Sequence, residues 1–321
     1  MIRPATPADH AALLALWQQN APRQGYAPRP DAEVERLLFQ HPYFSYDFTF
    51  IREEQGRAVA FICGCVGEDI PHGRERGYFT CLAADPAWDT PETTVQLLDA
   101  LEDAFRAAGR TASAVTFFNP MHLPWVIPGS PGYEHNNMPG IAADLSLHDR
   151  MLAHGYTEAT RETAMYRTLA DFTVPEDIRS LEQRAAAEEN TIALYDPARH
   201  HGLDAMLQAL DNPDWTAQIT AAARDGLCLP VALAGDTVAG FAGPVYPEPT
   251  GRGYFAGIGI APQYQHRHLG RLLFFRLCEE EKRAGAAYMS LFTGVTNPAR
   301  RIYESAGFQS VRTFGVLIKT L

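Results

Sequence analysis

The stretch Gln265-His266-Arg267-His268-Leu269-Gly270-Arg271 connects an apolar strand, which ends at Ile258-Gly259-Ile260, to an amphipathic helix. A helix over 269–283 is predicted because leucines recur every four residues from Leu269 and Gly285 follows as a stop. In such a strand–loop–helix unit, the backbone N–H groups of the loop and of the first helical turn point toward the same position. The sequence therefore predicts an anion-binding site, suited to a pyrophosphate, at the N-terminus of this helix.

The loop also carries the positive charge that an anion needs. Arg267 and Arg271 are cationic, and His266 and His268 add hydrogen-bond donors beside them. Gly270 has no side chain, so the backbone can approach a phosphate group closely there. Because the whole chain carries a formal net charge of -11, a local cluster of this kind is needed to hold a phosphate-bearing ligand. We do not expect His266 and His268 to bind a metal, since both lie in the anion loop.

A second motif, Asn297-Pro298-Ala299-Arg300-Arg301-Ile302-Tyr303-Glu304-Ser305-Ala306-Gly307-Phe308, follows the predicted helix. Together, the loop and this motif resemble the core of the GNAT (GCN5-related N-acetyltransferase) superfamily. The superfamily's pyrophosphate loop reads Gln/Arg-x-x-Gly-x-Gly/Ala, and this chain has Gln265-x-x-His268-x-Gly270. Residues 190–321 share the resemblance well, and residues 1–170 share it in outline. His268 stands where the superfamily has its first glycine, so we expect a backbone angle there that does not require glycine.

The resemblance implies that the chain binds acetyl-CoA as an acyl donor. The residues taken to bind this cofactor are Ile258, Gly259, Ile260, Gln265, His266, Arg267, His268, Leu269, Gly270, Arg271, Asn297 and Arg300. Tyr303 matches the superfamily's tyrosine, which lies near the thioester sulfur and acts as a general acid. A phenol with a pKa near 10 is a plausible proton donor to a thiolate whose thiol has a pKa of roughly 8.5.

The implied reaction is direct transfer of the acetyl group to an amine. The amine attacks the thioester carbonyl, whose oxygen accepts a hydrogen bond from a backbone N–H of the splayed strand at Ile258–Ile260. No covalent enzyme intermediate forms, so neither a catalytic cysteine nor a metal is expected. The chain is thus predicted to be an acetyl-CoA-dependent N-acetyltransferase.

The sequence does not identify the acceptor amine or the general base. A small-molecule amine is expected, and an antibiotic, a polyamine or a protein N-terminus stays open. Trp215 and Glu248 are candidates to face the amine, with Glu248 as a base, although a surface position is the favoured interpretation for both. The oligomeric state is open as well, a homodimer included.

An internal repeat divides the chain. Gly77-Tyr78-Phe79 and Gly253-Tyr254-Phe255 are 176 positions apart, and the same offset pairs Pro86 with Pro262, Leu97 with Leu273, Leu101 with Leu277 and Gly109 with Gly285. Asn119-Pro120 matches Asn297-Pro298 after a slip of two residues. We therefore predict an α/β (α+β) fold of two tandem GNAT-like domains, each a mixed, mostly antiparallel twisted sheet flanked by helices. The predicted parts are a degenerate domain at 1–170, a linker at 171–190 and a catalytic domain at 191–321.

The first copy lacks the anion loop. Under the offset of 176 positions, Asp89 stands opposite Gln265, Pro91 opposite Arg267, Glu92 opposite His268 and Thr94 opposite Gly270. Two acids repel phosphate, and the backbone loses its glycine. We expect no acetyl-CoA in this domain, and the sequence leaves open whether it shapes the substrate site or is only structural.

Composition argues against several other classes of function. A net charge of -11 disfavours a nucleic-acid partner, which needs a basic face. The start Met1-Ile2-Arg3-Pro4 is polar, and no apolar run is long enough to span a membrane, so we expect neither a signal peptide nor membrane insertion. Five cysteines in a long chain do not indicate a disulfide framework. By elimination, a cytoplasmic location is expected.

Three alternatives to the generic acetyltransferase stay open. A non-catalytic acyl-CoA sensor or regulatory module would bind the cofactor without turnover. A mycothiol-synthase-like acetyltransferase would share the tandem layout. An aminoacyl transferase that uses aminoacyl-tRNA is disfavoured by the acidic balance of the chain.

Overall fold

The computed structural model describes residues 1–321. Its helices are α1 (His10–Asn20), α2 (Asp31–Val34), α3 (Pro91–Ala107), α4 (Ser146–Ala153), α5 (Glu176–Ala187), α6 (Leu203–Leu210), α7 (Pro213–Arg224), α8 (Leu269–Arg283) and α9 (Arg300–Ser305). Its strands are β1 (Ile2–Pro4), β2 (Thr49–Glu54), β3 (Arg57–Cys65), β4 (Arg76–Ala84), β5 (Ala112–Val115), β6 (Trp125–Val126), β7 (Glu134–His135), β8 (Ile141–Ala142), β9 (Thr157–Thr168), β10 (Asn190–Leu194), β11 (Pro230–Ala234), β12 (Thr237–Ala242), β13 (Arg252–Gly253), β14 (Ile258–Ile260), β15 (Tyr288–Gly294) and β16 (Gln309–Thr320).

The chain forms two compact units, each with a sheet and flanking helices. Unit 1 contains Met1–Thr163 and Val311–Leu321, and unit 2 contains Ala164–Ser310. The expected α/β architecture is confirmed. The units divide the chain differently from the predicted domains 1–170 and 191–321, because the last strand pairs with β5 of unit 1. The predicted linker 171–190 contains α5, which buries Ile178 in the core of unit 2. The functional domain boundaries stay a prediction.

Unit 1 is built on a sheet with the strand order β1-β2-β3-β4-β5-β16. Side chains of successive strand residues point to opposite faces, so β3 fills two cores. Phe61 and Cys63 lie in the core on the side of α1, whereas Ala60 and Ile62 lie in the core on the side of α3. Cys63 and Cys65, which alternate along β3, are both fully buried.

Unit 2 contains the antiparallel sheet β10-β11-β12-β14 and the parallel pair of β13 with β15. Its two cores also follow strand alternation: Val231 and Leu233 pack on the side of α6 and α7, and Ala232 packs on the side of α8. The helix predicted over 269–283 has those bounds as α8. Gly235-Asp236, a dipeptide typical of a hairpin turn, joins β11 to β12.

The chain changes sheet partner between β13 and β14. Arg252 and Gly253 pair in parallel with Tyr288 and Met289 of β15, whereas Gly259 pairs antiparallel with Phe241 of β12. Residues 254–257 form no strand. Since β14 lies at the end of its sheet, its second edge is open. The splayed strand expected at Ile258–Ile260 is therefore present.

The offset found in the sequence also relates strand pairings in the two units. In unit 1, β4 pairs in parallel with β5 through Arg76 and Ala112. In unit 2, the parallel pair joins Arg252 to Tyr288, which are the residues 176 positions later. Shared register at a constant offset is what an internal duplication produces.

The longest helix, α3, has 17 residues. No helix combines the length with the apolar character that a membrane span requires.

Candidate functional site

The N-terminus of α8 is open to an anion. His268 is the N-cap residue, and its side chain makes no capping hydrogen bond. The first N–H groups of a helix have no partner within the helix, so they are available to a ligand when no side chain caps them. The dipole of this 15-residue helix adds favourable potential at the same end.

The backbone at His268 differs from the sequence-based expectation. Its φ is 61°, in the left-handed region that glycine adopts most easily, and His266 has a φ of 65°. The expectation of an angle that does not require glycine was therefore wrong. Histidine is one of the few other residues enriched in this region, which explains how the chain keeps the loop shape without the glycine.

A cavity of about 550 Å³ lies between the loop, β14 and α9. It is lined by Ile260, Tyr264, Gln265, His266, His268, Leu269, Gly270, Arg271, Arg301, Ile302 and Ser305. Seven of these were predicted from the sequence. Tyr264 and the three residues of α9 were not, although residues 301, 302 and 305 share one face of that helix. Tyr303 is one or two positions from each of them and lies on a different face of the helix, so its position in the motif did not identify them.

Arg271 and Arg301 line this cavity, and Arg267 lies beside it against Tyr264. Arg267 is exposed, and its guanidinium carbon lies 5.5 Å from the centre of the Tyr264 ring. Arg271 donates a hydrogen bond of 3.0 Å to Asp177 on α5. Arg301 is exposed and forms no salt bridge, so its charge is available to a ligand. Positive charge around an uncapped helix N-terminus suits a pyrophosphate.

The open edge of β14 supplies backbone donors beside the cavity. Ala261 donates its N–H to Ala239 of β12, and Gly257 accepts from Gly243 on the same side. Because strand residues alternate in direction, Ile258 and Ile260 turn their backbone polar groups toward the opposite, open edge. The Ile260 carbonyl accepts a hydrogen bond of 3.1 Å from the Gln265 side chain, which fixes the loop to the strand.

The predicted residues Asn297 and Arg300 line a second cavity of about 400 Å³. The Asn297 side-chain oxygen accepts the N–H of Ala299 at 2.9 Å, so this residue shapes the turn before α9. Arg300 forms an ion pair of 2.8 Å with Glu304. Arg301 lines both cavities, which places them on either side of one side chain.

Tyr303 is buried, with 4% of its surface exposed. Its ring centre lies 4.7 Å from that of Phe274 and 6.0 Å from that of Phe255. Burial raises the pKa of its phenol to about 12. Tyr303 is not among the residues that line either cavity. The Tyr303 ring therefore belongs to the core of unit 2 in this structure.

The two acceptor-side candidates have different environments. Trp215 is not a free surface residue: its indole donates a hydrogen bond of 3.1 Å to the Ala256 carbonyl and packs against Phe241. A side chain at position 257 would collide with the indole, so Trp215 covers this part of the splayed strand closely. The Glu248 carboxylate accepts two hydrogen bonds from Arg252, of 2.5 and 2.9 Å. That bidentate pair makes Glu248 a poor candidate for a free base.

The corresponding helix end in unit 1 is closed by its own residues. The Thr90 side chain accepts the N–H of Thr93 and so caps α3. Asp89 forms an ion pair of 2.5 Å with Arg150. A capped helix N-terminus with a carboxylate beside it is a poor site for phosphate.

In unit 1, a side chain also occupies the gap that opens where β4 and β5 diverge. The Asn119 side chain donates hydrogen bonds of 2.8 Å to the Phe79 carbonyl and 3.0 Å to the Thr80 hydroxyl. In unit 2 the corresponding Asn297 side chain accepts the N–H of Ala299 instead, and the Trp215 indole donates to the Ala256 carbonyl. That the first copy holds no acetyl-CoA stays a prediction.

Comparisons with known proteins agree with this arrangement. The chain is similar to the glucosamine N-acetyltransferase region of a fungal multi-domain β-N-acetylglucosaminidase (16% identity, TM-score 0.68, 99% of this chain and 38% of that one). It is also similar to a GCN5-related N-acetyltransferase from Sphaerobacter thermophilus (16%, TM-score 0.64, 100% and 95%). A tandem GNAT protein from the clavulanic acid biosynthesis pathway matches as well (15%, TM-score 0.56, 100% and 98%). At these identities the likeness shows the fold alone. No curated protein sequence matches the chain.

A family model supplies the narrower assignment. The acetyltransferase (GNAT) family model matches residues 179–308, which include the splayed strand, the anion loop, α8 and α9. Residues 179–308 therefore match the acetyltransferase (GNAT) family.

Proposed function

We propose that this protein is an N-acetyltransferase that moves the acetyl group of acetyl-CoA to the amine of a small-molecule acceptor by direct transfer. The observation that carries the proposal is the 550 Å³ cavity at the uncapped N-terminus of α8, beside the open edge of β14. The site proposed for the pyrophosphate of acetyl-CoA therefore lies next to a strand edge whose N–H groups could polarise the thioester carbonyl. Those are the two features that acyl transfer from a CoA thioester needs.

The residues present suit a CoA pyrophosphate. Gly270 lines the cavity, and a Cβ there would lie 3.5 Å from Ile302 and 3.8 Å from Ile260, which is ordinary contact distance. A larger side chain would extend into the space meant for the phosphates. His268 and Arg301 add donors on two sides of that space. Bound acetyl-CoA would supply an activated acyl group as its thioester.

The chain's own groups can assist the transfer in two ways. The N–H groups of Ile258 and Ile260 can donate to the thioester oxygen as negative charge develops on it. Burial raises the pKa of the Tyr303 phenol to about 12, so the phenol stays protonated at neutral pH. It can therefore donate a hydrogen bond to the departing sulfur, and the raised pKa makes it a weaker proton donor than an ordinary phenol. No side chain is assigned as the base, because water can carry the amine proton away.

A small amine is the proposed acceptor class. Trp215 covers one face of the splayed strand and forms an apolar wall beside the reacting carbonyl. The fungal structural neighbour is named for glucosamine, so amino sugars belong in an acceptor panel with amino acids and polyamines.

The test is CoA release from acetyl-CoA, followed with a thiol reagent and an amine panel. We expect acceptor-dependent release by the wild-type protein and a loss of at least about 100-fold in kcat/KM for Gly270→Glu, since a carboxylate would occupy the phosphate site. Thr220→Glu, on an exposed position of α7, introduces the same charge away from the cavity and should retain activity. Equal rates for the two variants would contradict the proposed donor site.

A second candidate function is an acyl-CoA sensor. It is favoured by one observation: Tyr303 lines neither cavity and has a weakly acidic phenol. A sensor would bind acetyl-CoA tightly and release no thiol with any amine. Binding without turnover across the panel would therefore select this alternative.

A further inference from the structure

Three side chains with metal-binding atoms converge in unit 1. Asp99 and Glu102 lie three residues apart on one face of α3, and His154 follows α4. The His154 Nε2 atom lies 3.3 Å from Asp99 Oδ1 and 3.4 Å from Glu102 Oε1. The three ligand atoms all lie within 4.8 Å of one another.

Two of these atoms are buried without a hydrogen-bond partner. The Glu102 side chain is 1% exposed and that of His154 is 11% exposed. Neither Glu102 Oε1 nor His154 Nε2 makes a hydrogen bond, although each is buried. Buried polar atoms are almost always hydrogen-bonded, so a pair of orphaned atoms that face each other calls for a partner between them.

We propose that Asp99, Glu102 and His154 bind a divalent transition-metal ion, with Zn²⁺ the best fit. In a tetrahedral zinc site with metal–ligand bonds of about 2.0–2.1 Å, neighbouring ligand atoms are about 3.3–3.4 Å apart. The two distances from His154 Nε2 match that separation. One imidazole and two carboxylates suit zinc, whereas Mg²⁺ and Ca²⁺ prefer oxygen ligands alone.

The surroundings support such an ion. Lys319 donates a hydrogen bond of 2.7 Å from Nζ to the other oxygen, Glu102 Oε2, and so holds that carboxylate in place. Asp99 is 59% exposed, which leaves an entry path and room for a water as fourth ligand. The ion would tie the end of α4 to α3.

This site is separate from the acetyl-donor site in unit 2, and it supplies no step of the proposed reaction. The sequence expectation of no metal rested on the chemistry of acyl transfer, which needs none. The spacing of Asp99, Glu102 and the distant His154 is too common to predict a metal site without the fold.

The test is calorimetric titration of ZnCl2 into the full chain after treatment with a chelator. We expect about one equivalent to bind and the melting temperature to rise, since a ligand of the folded state stabilises it. Asp99→Asn should weaken zinc affinity at least about 10-fold. Because Asp99 is exposed, this variant should fold, and its melting temperature without zinc provides that control. Substitution with Co²⁺ should give the intense visible absorption of a tetrahedral site.

Asp103→Asn is the matched control, because Asp103 is an exposed acid on the same helix that pairs with Arg106. It should bind zinc as the wild type does. The rival state is an imidazolium of His154 held between two carboxylates without a metal. Absence of zinc binding to the wild type, or equal affinity in Asp99→Asn and Asp103→Asn, would overturn the proposal in favour of that ion pair.

Discussion

The Tyr303 ring packs against two aromatic neighbours, and its hydroxyl is the proposed proton donor. One substitution can remove the hydroxyl and keep the packing of the ring. Tyr303→Phe keeps the ring against Phe274 and removes only the hydroxyl. We expect kcat to fall about 100-fold, the lower range for loss of a general acid. The dissociation constant of acetyl-CoA should change less than about threefold, since the phenol lines neither cavity. Steady-state kinetics and calorimetry measure the two effects.

Tyr264→Phe is the control for that experiment. Tyr264 lines the cavity and is half-buried, and it has no assigned catalytic role. Its variant should keep kcat within about threefold. If Tyr303→Phe also kept its kcat, Tyr303 would have only a packing role, and the proton would have to reach the thiolate from water.

Glu281 is a second buried residue, and its ionisation can be detected through the pH dependence of the free energy of unfolding. It is fully buried on α8, and its Oε1 atom accepts the N–H of Tyr246 at 2.9 Å, whereas Oε2 has no partner. Desolvation raises the pKa of this carboxyl from 4.5 to about 8. The unfolded chain therefore ionises Glu281 above pH 4.5, but the folded protein keeps it protonated up to about pH 8. Stability is thus lost as the pH rises through this window.

Glu281→Gln removes the titration and keeps a neutral acceptor for Tyr246. We expect the free energy of unfolding of the wild type to fall by about 2–4 kcal/mol more than that of the variant between pH 5 and pH 8.5. Urea unfolding at several pH values measures the difference. Glu188→Gln, at an exposed position, should follow the wild type. Parallel pH curves for wild type and Glu281→Gln would show that the carboxyl has its ordinary pKa.

At the scale of elements, the N-terminus of α8 depends on a left-handed backbone at His268. His268→Gly and His268→Ala both remove the imidazole, but only glycine adopts this angle without strain. We expect the glycine variant to be about 1 kcal/mol more stable than the alanine variant. Thermal or urea unfolding of the pair measures this. Equal stability would mean that position 268 does not hold the left-handed conformation.

Local sequence signals predicted the helices and turns better than they predicted which strands pair. The leucine row and Gly285 gave α8 its bounds, and Gly235-Asp236 gave the hairpin between β11 and β12. The pairing of β16 with β5 was not predictable, because strand pairing between residues 200 positions apart leaves no local pattern. The positive φ of His268 was missed for a similar reason. Histidine adopts the left-handed region more often than most residues, but the residue type alone does not decide between that region and the others.

The sequence predicted the loop residues of the candidate site but not the residues at the edges of the cavity. A glycine and clustered cations in one short segment point to a phosphate without knowledge of the fold. Arg301 and Tyr264 complete the cavity only because α9 and the loop meet there. The pairing of Glu248 with Arg252 likewise depends on the turn between them, which brings two residues four apart into contact.

At the scale of the whole molecule, the two copies are expected to differ in cofactor binding. In unit 1, Thr90 caps α3, Asp89 brings negative charge, and Asn119 fills the place where the strands part. We therefore expect calorimetry to give one acetyl-CoA per chain. The double variant Arg267→Ala with Gly270→Glu should bind none, because both changes lie in the loop of unit 2.

The stoichiometry separates three arrangements of the duplicated chain. One equivalent that is lost in the double variant places the donor in unit 2 and leaves unit 1 without a cofactor. Two equivalents, with one kept in the double variant, would mean that the Asp89 and Arg150 pair opens to admit phosphate. In that case Thr90→Ala should strengthen the remaining binding, because it frees an N–H of the first turn of α3. A variant that binds as well as the wild type would place the donor site in unit 1, against the charge and the caps seen there.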